Sequence, residues 1–166
     1  MKALTWKEPY TSLMLCGKIE TRTWKTNYRG PVLICASKKS YIYNDVAKIS
    51  GPYQYDRIMK AFNSDRRTPY FGTYNNWSKN NGFAIAIGNL VDCRPMKPTD
   101  EDDCFVTYHP DLWCHIYEDV RAIVPIPFKG KQGWSKVDSS IIKQLEYVDQ
   151  ELAAKIVLKK LSEEKF

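Results

Sequence analysis

Residues 17–24, Gly-Lys-Ile-Glu-Thr-Arg-Thr-Trp, constrain the fold of this chain most, because their side chains alternate with a period of two. In a strand, residues i, i+2 and i+4 share a face. Lys18, Glu20, Arg22 and Trp24 then project from one side. Ile19, Thr21 and Thr23 project from the other and, being smaller, suit a packed interior. A cation, a carboxylate, a guanidinium and an indole on one face make a surface equipped for charge, hydrogen bonding and stacking. The expectation is a strand with one working face, set in a sheet.

The flanking sequence supplies the rest of that sheet. Met1 to Trp6 reads as a short strand. Glu8-Pro9-Tyr10 opens a helix with proline in an early position, Ser12 to Cys16 form its body, and Gly17 stands where a glycine ends a helix. Residues 27–30 make a turn, and Pro31 to Ser37 form a nearly continuous apolar strand of the kind buried on both faces. Asn44 to Ile49 and Tyr55 to Phe62 are amphipathic and read as helices; Asn63 to Asn81 reads as a polar loop. Gly82 to Cys93 is a long strand with a kink expected at Gly88. An acidic loop at Lys97 to Asp103 and two short strands, Asp111 to Tyr117 and Val120 to Pro127, follow. A glycine-bracketed turn, Gly130 to Trp134, leads into a last short strand. Asp138 caps a long helix at about residues 138–162, with an apolar stripe of Ile141, Ile142, Leu145, Val148, Leu152, Ile156 and Leu161. The class expected is α+β: a small β-barrel of about six strands with an early short helix, an inserted helical segment and a long C-terminal helix, in one domain spanning 1–166.

Composition narrows the function. The chain has 166 residues and a net charge of +6. Residues 1–80 carry 14 Lys and Arg against 5 Asp and Glu, and residues 81–166 carry 11 against 14. The basic excess sits in the half with the alternating segment and points to a polyanion, nucleic acid first. Solubility charge accounts for the same numbers. In residues 38–80, Lys38, Lys39, Arg57, Lys60, Arg66, Arg67 and Lys79 are interleaved with Tyr41, Tyr43, Tyr53, Tyr55, Tyr70, Phe71, Tyr74 and Trp77. Such a mixture suits single-stranded nucleic acid, and equally suits half-buried tyrosines beside surface lysines. No run reaches the roughly 18 apolar residues of a membrane span. The first eight residues hold no apolar leader, so a cytoplasmic chain with five reduced cysteines is expected. Cys104, His109, Cys114 and His115 lack the close pairing of zinc ligands, and neither a metal nor a cofactor is expected.

Several of these segments together resemble the activating signal cointegrator homology (ASCH) domain. Leu4 to Leu15 is similar to the family's opening strand and proline-led helix, Glu20-Thr21-Arg22-Thr23-Trp24 matches its E-x-R-x-W core, and Tyr28-Arg29-Gly30 matches the turn after it. The strand ending Ile34 to Ser37, the strand around Ala86-Ile87-Gly88 ending at Asp92-Cys93, Trp113 to Ile116 and Pro125 to Trp134 fit as well. Residues 3–37 and 83–137 carry the match, and about 38–80 reads as an insertion. The resemblance implies a fold similar to the PUA domain, a compact barrel that binds RNA, with a groove beside the first helix and second strand. The family spacing G-x-K-x-x-E-x-R is two residues shorter here, so the lysine position falls on Gly17 and Lys18 is displaced. Some small relatives hydrolyse N4-acetylcytidine with a lysine, a threonine and a glutamate; the threonine position falls here on Glu20.

The residues expected to bind nucleic acid are Trp6, Lys7, Glu8, Lys18, Glu20, Arg22, Trp24, Arg29, Lys131, Gln132 and Trp134. Arginine offers a planar fork to phosphate or guanine, and Trp6, Trp24 and Trp134 would form a stacking wall. Three functions follow: binding of RNA or a modified nucleotide; hydrolysis by Lys18 and Glu20, as an N4-acetylcytidine-type amidohydrolase or a ribonuclease; or protein interaction. A nucleoside-sized cleft between residues 6–8 and 18–24 separates the first two from the third.

Overall fold

A computed structural model describes residues 1–64 and 77–163. Arg66, Arg67, Tyr70, Phe71 and Tyr74 of the expected basic-aromatic loop lie outside the described residues. In chain order the elements are β1 (Lys2–Trp6), α1 (Tyr10–Leu13), β2 (Glu20–Arg22), β3 (Gly30–Ala36), α2 (Tyr43–Ser50), α3 (Pro52–Ser64), β4 (Phe83–Pro95), α4 (Glu101–Cys104), β5 (Trp113–Pro127), β6 (Ser135–Lys136), α5 (Ser139–Ile142) and α6 (Gln150–Glu163).

The class is α+β, as expected. The six strands form one sheet in the order β2-β5-β4-β3-β1-β6. Only β1 and β3 are parallel, with α1 and β2 in the connection between them. The apolar run of β3 has the central place the sequence assigns it, with Val32 to Ala36 buried. Its side chains alternate between two cores: Val32 and Ile34 join Leu4, Trp6, Leu13 and Ile85 on one face, and Leu33 and Cys35 join Ala3, Ala84 and Ile123 on the other. A strand covered on both faces reads as continuous rather than alternating hydrophobicity. The kink at Gly88 is present as a register shift between the β4–β5 pairs at Ile87 and Asn89. An added Cβ there would sit 3.0 Å from the Val120 side chain and 3.1 Å from Tyr117.

The sheet curls into a half-barrel and leaves the barrel unclosed. Edges β2 and β6 do not pair, but side chains span the gap. Arg22 donates to the Thr5 carbonyl at 3.1 Å, and the rings of Trp24 and Trp134 meet edge to face at 5.9 Å.

Four expectations are corrected. The long C-terminal helix is two helices, α5 and α6. Between them Glu146 and Val148 bond to the β5 backbone, with Val124 N–H on Glu146 O at 2.8 Å and Val148 N–H on Ala122 O at 3.0 Å. β2 covers β5 only at Trp113 to His115, and open edge groups further along take this segment as a partner. The two strands expected over 111–127 are one, β5, which passes its irregular point with Asp119 at φ 50°. The acidic loop is a 3₁₀ turn (Pro98–Asp100) followed by α4, tied to β4 by the Arg94–Asp100 pair at 2.7 Å. The alternating segment is a three-residue strand, and its burial is inverted: Lys18 and Glu20 are 4% and 6% exposed while Thr23 is exposed. The curl turns the charged face of β2 inward, towards α1.

Candidate functional site

The inward face of β2 forms the floor of a cleft of about 630 Å³. Local geometry puts Lys18 there. Gly17 takes φ 83°, its N–H bonds to Met14 O at 3.3 Å, and the Lys18 N–H bonds to Leu13 O at 3.2 Å. This paired closure is a Schellman motif. Lys18, directly after its glycine, turns back beneath α1. Its ammonium donates to Ile19 O at 2.9 Å and Glu20 Oε2 at 3.2 Å, and lies 5.6 Å from the Tyr10 ring. Lys18 thus pairs with Glu20, its neighbour on the same face of the segment.

Arg22 approaches the second oxygen of Glu20, with Nε 3.1 Å from Oε1. That Nε–H is not aimed along the contact and has no hydrogen-bond acceptor, so the attraction is electrostatic. The guanidinium lies 5.3 Å from the Trp6 ring and 5.9 Å from the Trp24 ring. Both oxygens of Glu20 therefore face cations. Above this floor stand Lys7, 4.9 Å from the Tyr41 ring, and the turn carrying Lys131 and Gln132. Gly130 lets that turn lie against β1: an added Cβ would sit 1.9 Å from Thr5 Oγ1. The charged lining residues are Lys7, Lys18, Arg22 and Lys131 against Glu20 alone. The Nε1–H of Trp6, another lining residue, is also buried without an acceptor. Buried donors are ordinarily satisfied; these two are not, and both lie beneath the cleft surface.

Of the residues singled out from sequence, Trp6, Lys7, Lys18, Glu20, Arg22, Lys131 and Gln132 line the cleft. Glu8, Trp24, Arg29 and Trp134 do not. Glu8 is wholly buried behind it, accepting from Ser12 N–H at 3.0 Å, Ser12 Oγ–H at 2.8 Å and Asn80 at 3.3 Å. Burial raises its carboxyl to about 7, against the opposing pull of those bonds. Trp24 packs on His115 and Trp134, and Trp134 on Tyr28. The tryptophans are therefore no open stacking wall; Trp6 and Trp24 flank Arg22. Arg29 is spent on the Thr26 and Tyr28 carbonyls and lies 3.8 Å from Asp92.

Sequence reasoning missed Tyr10, Ile49 and Val106 as lining residues, and placed Tyr41 only among the interleaved aromatics. Tyr41 and Ile49 come from the expected insertion, so it supplies one wall. The Tyr10 hydroxyl is hydrogen-bonded to Ser50 Oγ and pushed up to about 12 by burial, which keeps its proton in place. His115, opposite Glu20 in the strand pair, donates its Nε2–H to Trp24 O at 2.9 Å, and burial lowers its pKa. The four Cys and His residues do not converge. Cys104 and Cys114 are 3.9 Å apart in the core, His109 is exposed beside Asp111, and His115 points to Trp24. No group of three or more potential metal ligands occurs among the described residues. No helix among them is long and apolar enough to cross a membrane. No family model matches the chain, and no curated protein is a significant match to it.

Proposed function

We propose that this chain binds a nucleotide, in RNA or as a modified nucleotide, in the cleft between α1, β2 and the Gly130–Gly133 turn, as an ASCH-like domain of the PUA type. The observation that carries the reading is the floor itself: buried Lys18 and Glu20 in a row with half-buried Arg22, with Lys7 and Lys131 above it. Four cations against one carboxylate favour an anionic ligand. The partly exposed Arg22 guanidinium, with Lys7 and Lys131, offers donors to a phosphate or a base carbonyl. Tyr41 and Ile49 offer an apolar wall to a planar base. A volume near 630 Å³ lies within the roughly 300–1,000 Å³ of small-molecule sites. A cleft beside residues 5–24 favours ligand binding over the protein-interaction reading.

The hydrolase reading rests on the same Lys18–Glu20 contact. Glu20 is poorly disposed as a general base, because a cation faces each of its oxygens. Binding is therefore the better-supported function. The test is titration of single-stranded RNA and cytidine nucleotides by fluorescence anisotropy from 50 to 300 mM salt, with N4-acetylcytidine assayed for acetate release. Affinity is expected to fall steeply with salt, and Lys18→Ala to weaken binding modestly. A flat salt response removes the electrostatic argument. Acetate release by the wild type that is lost in Lys18→Ala replaces binding with hydrolysis.

A further inference from the structure

The turn that roofs the cleft has a second hollow on its far side. It measures about 530 Å³, and its lining includes Phe128, Lys129, Lys131, Lys136, Asp138 and Ile141. Gly130 and Lys131 line both hollows, so only the turn separates them. The second is lined by three cations and one carboxylate, Asp138. Lys129, Lys131 and Lys136 are exposed, and among the described residues none has an ion pair or a side-chain hydrogen bond. Pairing of β6 with β1 places Lys136 opposite Lys2, an arrangement that like charges disfavour. The Lys2 ammonium lies over the Tyr28 and Trp134 rings, at 4.8 and 5.6 Å, and Lys136 faces the second hollow. An anion lying there would relieve the repulsion among the three lysines.

We infer that the ligand is a single-stranded polynucleotide that crosses this turn. One nucleotide occupies the first cleft, and neighbouring backbone phosphates lie on Lys129, Lys131 and Lys136 in the second. This rests on the nucleotide-binding reading above and goes further, because a free nucleotide would fill the first cleft and leave the second with its excess of three lysines over Asp138. Lys131, shared by both, marks the crossing point. Phe128 and Ile141 give the second hollow an apolar side, and its cations are lysines with no fixed acceptor geometry. That suits backbone phosphate rather than base recognition.

The experiment compares cytidine monophosphate with a single-stranded RNA of about ten nucleotides, a length in the range such grooves accommodate. Wild type, Arg22→Ala and the double variant Lys129→Ala/Lys136→Ala are titrated across a salt series. The RNA is expected to bind the wild type at least tenfold more tightly than the mononucleotide, and Arg22→Ala to weaken both. The double variant should leave mononucleotide affinity unchanged. Its slope of log affinity against log salt for RNA should be shallower by about 1.4, from two lost phosphate contacts at about 0.7 each. Equal melting temperatures of wild type and double variant exclude unfolding as the cause. RNA binding no tighter than the mononucleotide, with Arg22→Ala still harmful, overturns the crossing and leaves the nucleotide site standing. An unchanged slope in the double variant does the same. RNA binding that ignores Arg22→Ala overturns the crossing from the other side, and no binding of either probe removes both readings.

Discussion

Replacing Glu8 by glutamine should stabilise this protein at neutral and alkaline pH. Glu8 is wholly buried, and its carboxyl stands at about 7 against an ordinary 4.5. The unfolded chain releases that proton at lower pH than the folded one. Stability from this group is therefore complete below pH 4.5, declines between 4.5 and 7, and reaches its full deficit above 7. A difference near 2.5 pH units, at about 1.4 kcal/mol each, makes that deficit about 3 kcal/mol. Glutamine removes it. Its oxygen can accept the Ser12 N–H as Oε2 does now, and its amide can donate to Ser12 Oγ across the present 2.8 Å contact. The Asn80 amide, 3.3 Å from Oε1, then faces a second donor, which costs about 1 kcal/mol. The net expectation at pH 8 is a gain of about 2 kcal/mol, or a rise in Tm of about 4–8 °C for a chain of this size. At pH 4 the variant should be no more stable than the wild type. Thermal melts of both proteins from pH 4 to 9 check this. Parallel curves, or a less stable variant at pH 8, would refute the argument that an unrelieved buried carboxyl sits behind the cleft.

The floor of the cleft responds differently to its two acidic and basic partners. Glu20→Gln strands the buried ammonium of Lys18 and should destabilise the fold by about 3 kcal/mol, read by urea denaturation. Arg22→Ala, whose side chain is 21% exposed, should disturb the fold far less while raising the RNA Kd about 5- to 150-fold; unchanged affinity with lowered stability would make the row structural only. Gly130→Ala places a methyl 1.9 Å from Thr5 Oγ1 and should cost about 1–3 kcal/mol. Adding Thr5→Ala should recover part of that loss in the same melts, and no recovery would mean that the turn does not rest on β1 as described.

The features legible from sequence are those set by local conformation. The period of two put Lys18, Glu20 and Arg22 on one face, a lone glycine after an apolar helix marked Gly17 as its stop, and the run from Val32 to Ala36 implied a strand covered on both sides. Each depends on backbone geometry within a few residues, which side-chain pattern reports directly. Which face of β2 is buried is not legible, because that depends on the curl of a sheet whose other strands lie as far along the chain as Ser135–Lys136. The alternation is the same whichever side faces inward, and side-chain size alone favours the smaller residues for the interior. The same holds for Glu8, a residue with the composition of a groove, which chain direction turned towards Ser12 and Asn80. The apolar stripe from Ile141 to Leu161 reads as one helix because it repeats at helical spacing. It breaks because Glu146 and Val148 meet unpaired groups on the β5 edge, and the demand of an open strand for hydrogen bonds is written nowhere in the segment that answers it. Tertiary structure alone decided that Tyr41 and Ile49, from the stretch between β3 and β4, wall a cleft floored by β2. A site assembled from segments distant in the chain is fixed by the packing that brings them together, and local pattern carries no record of it.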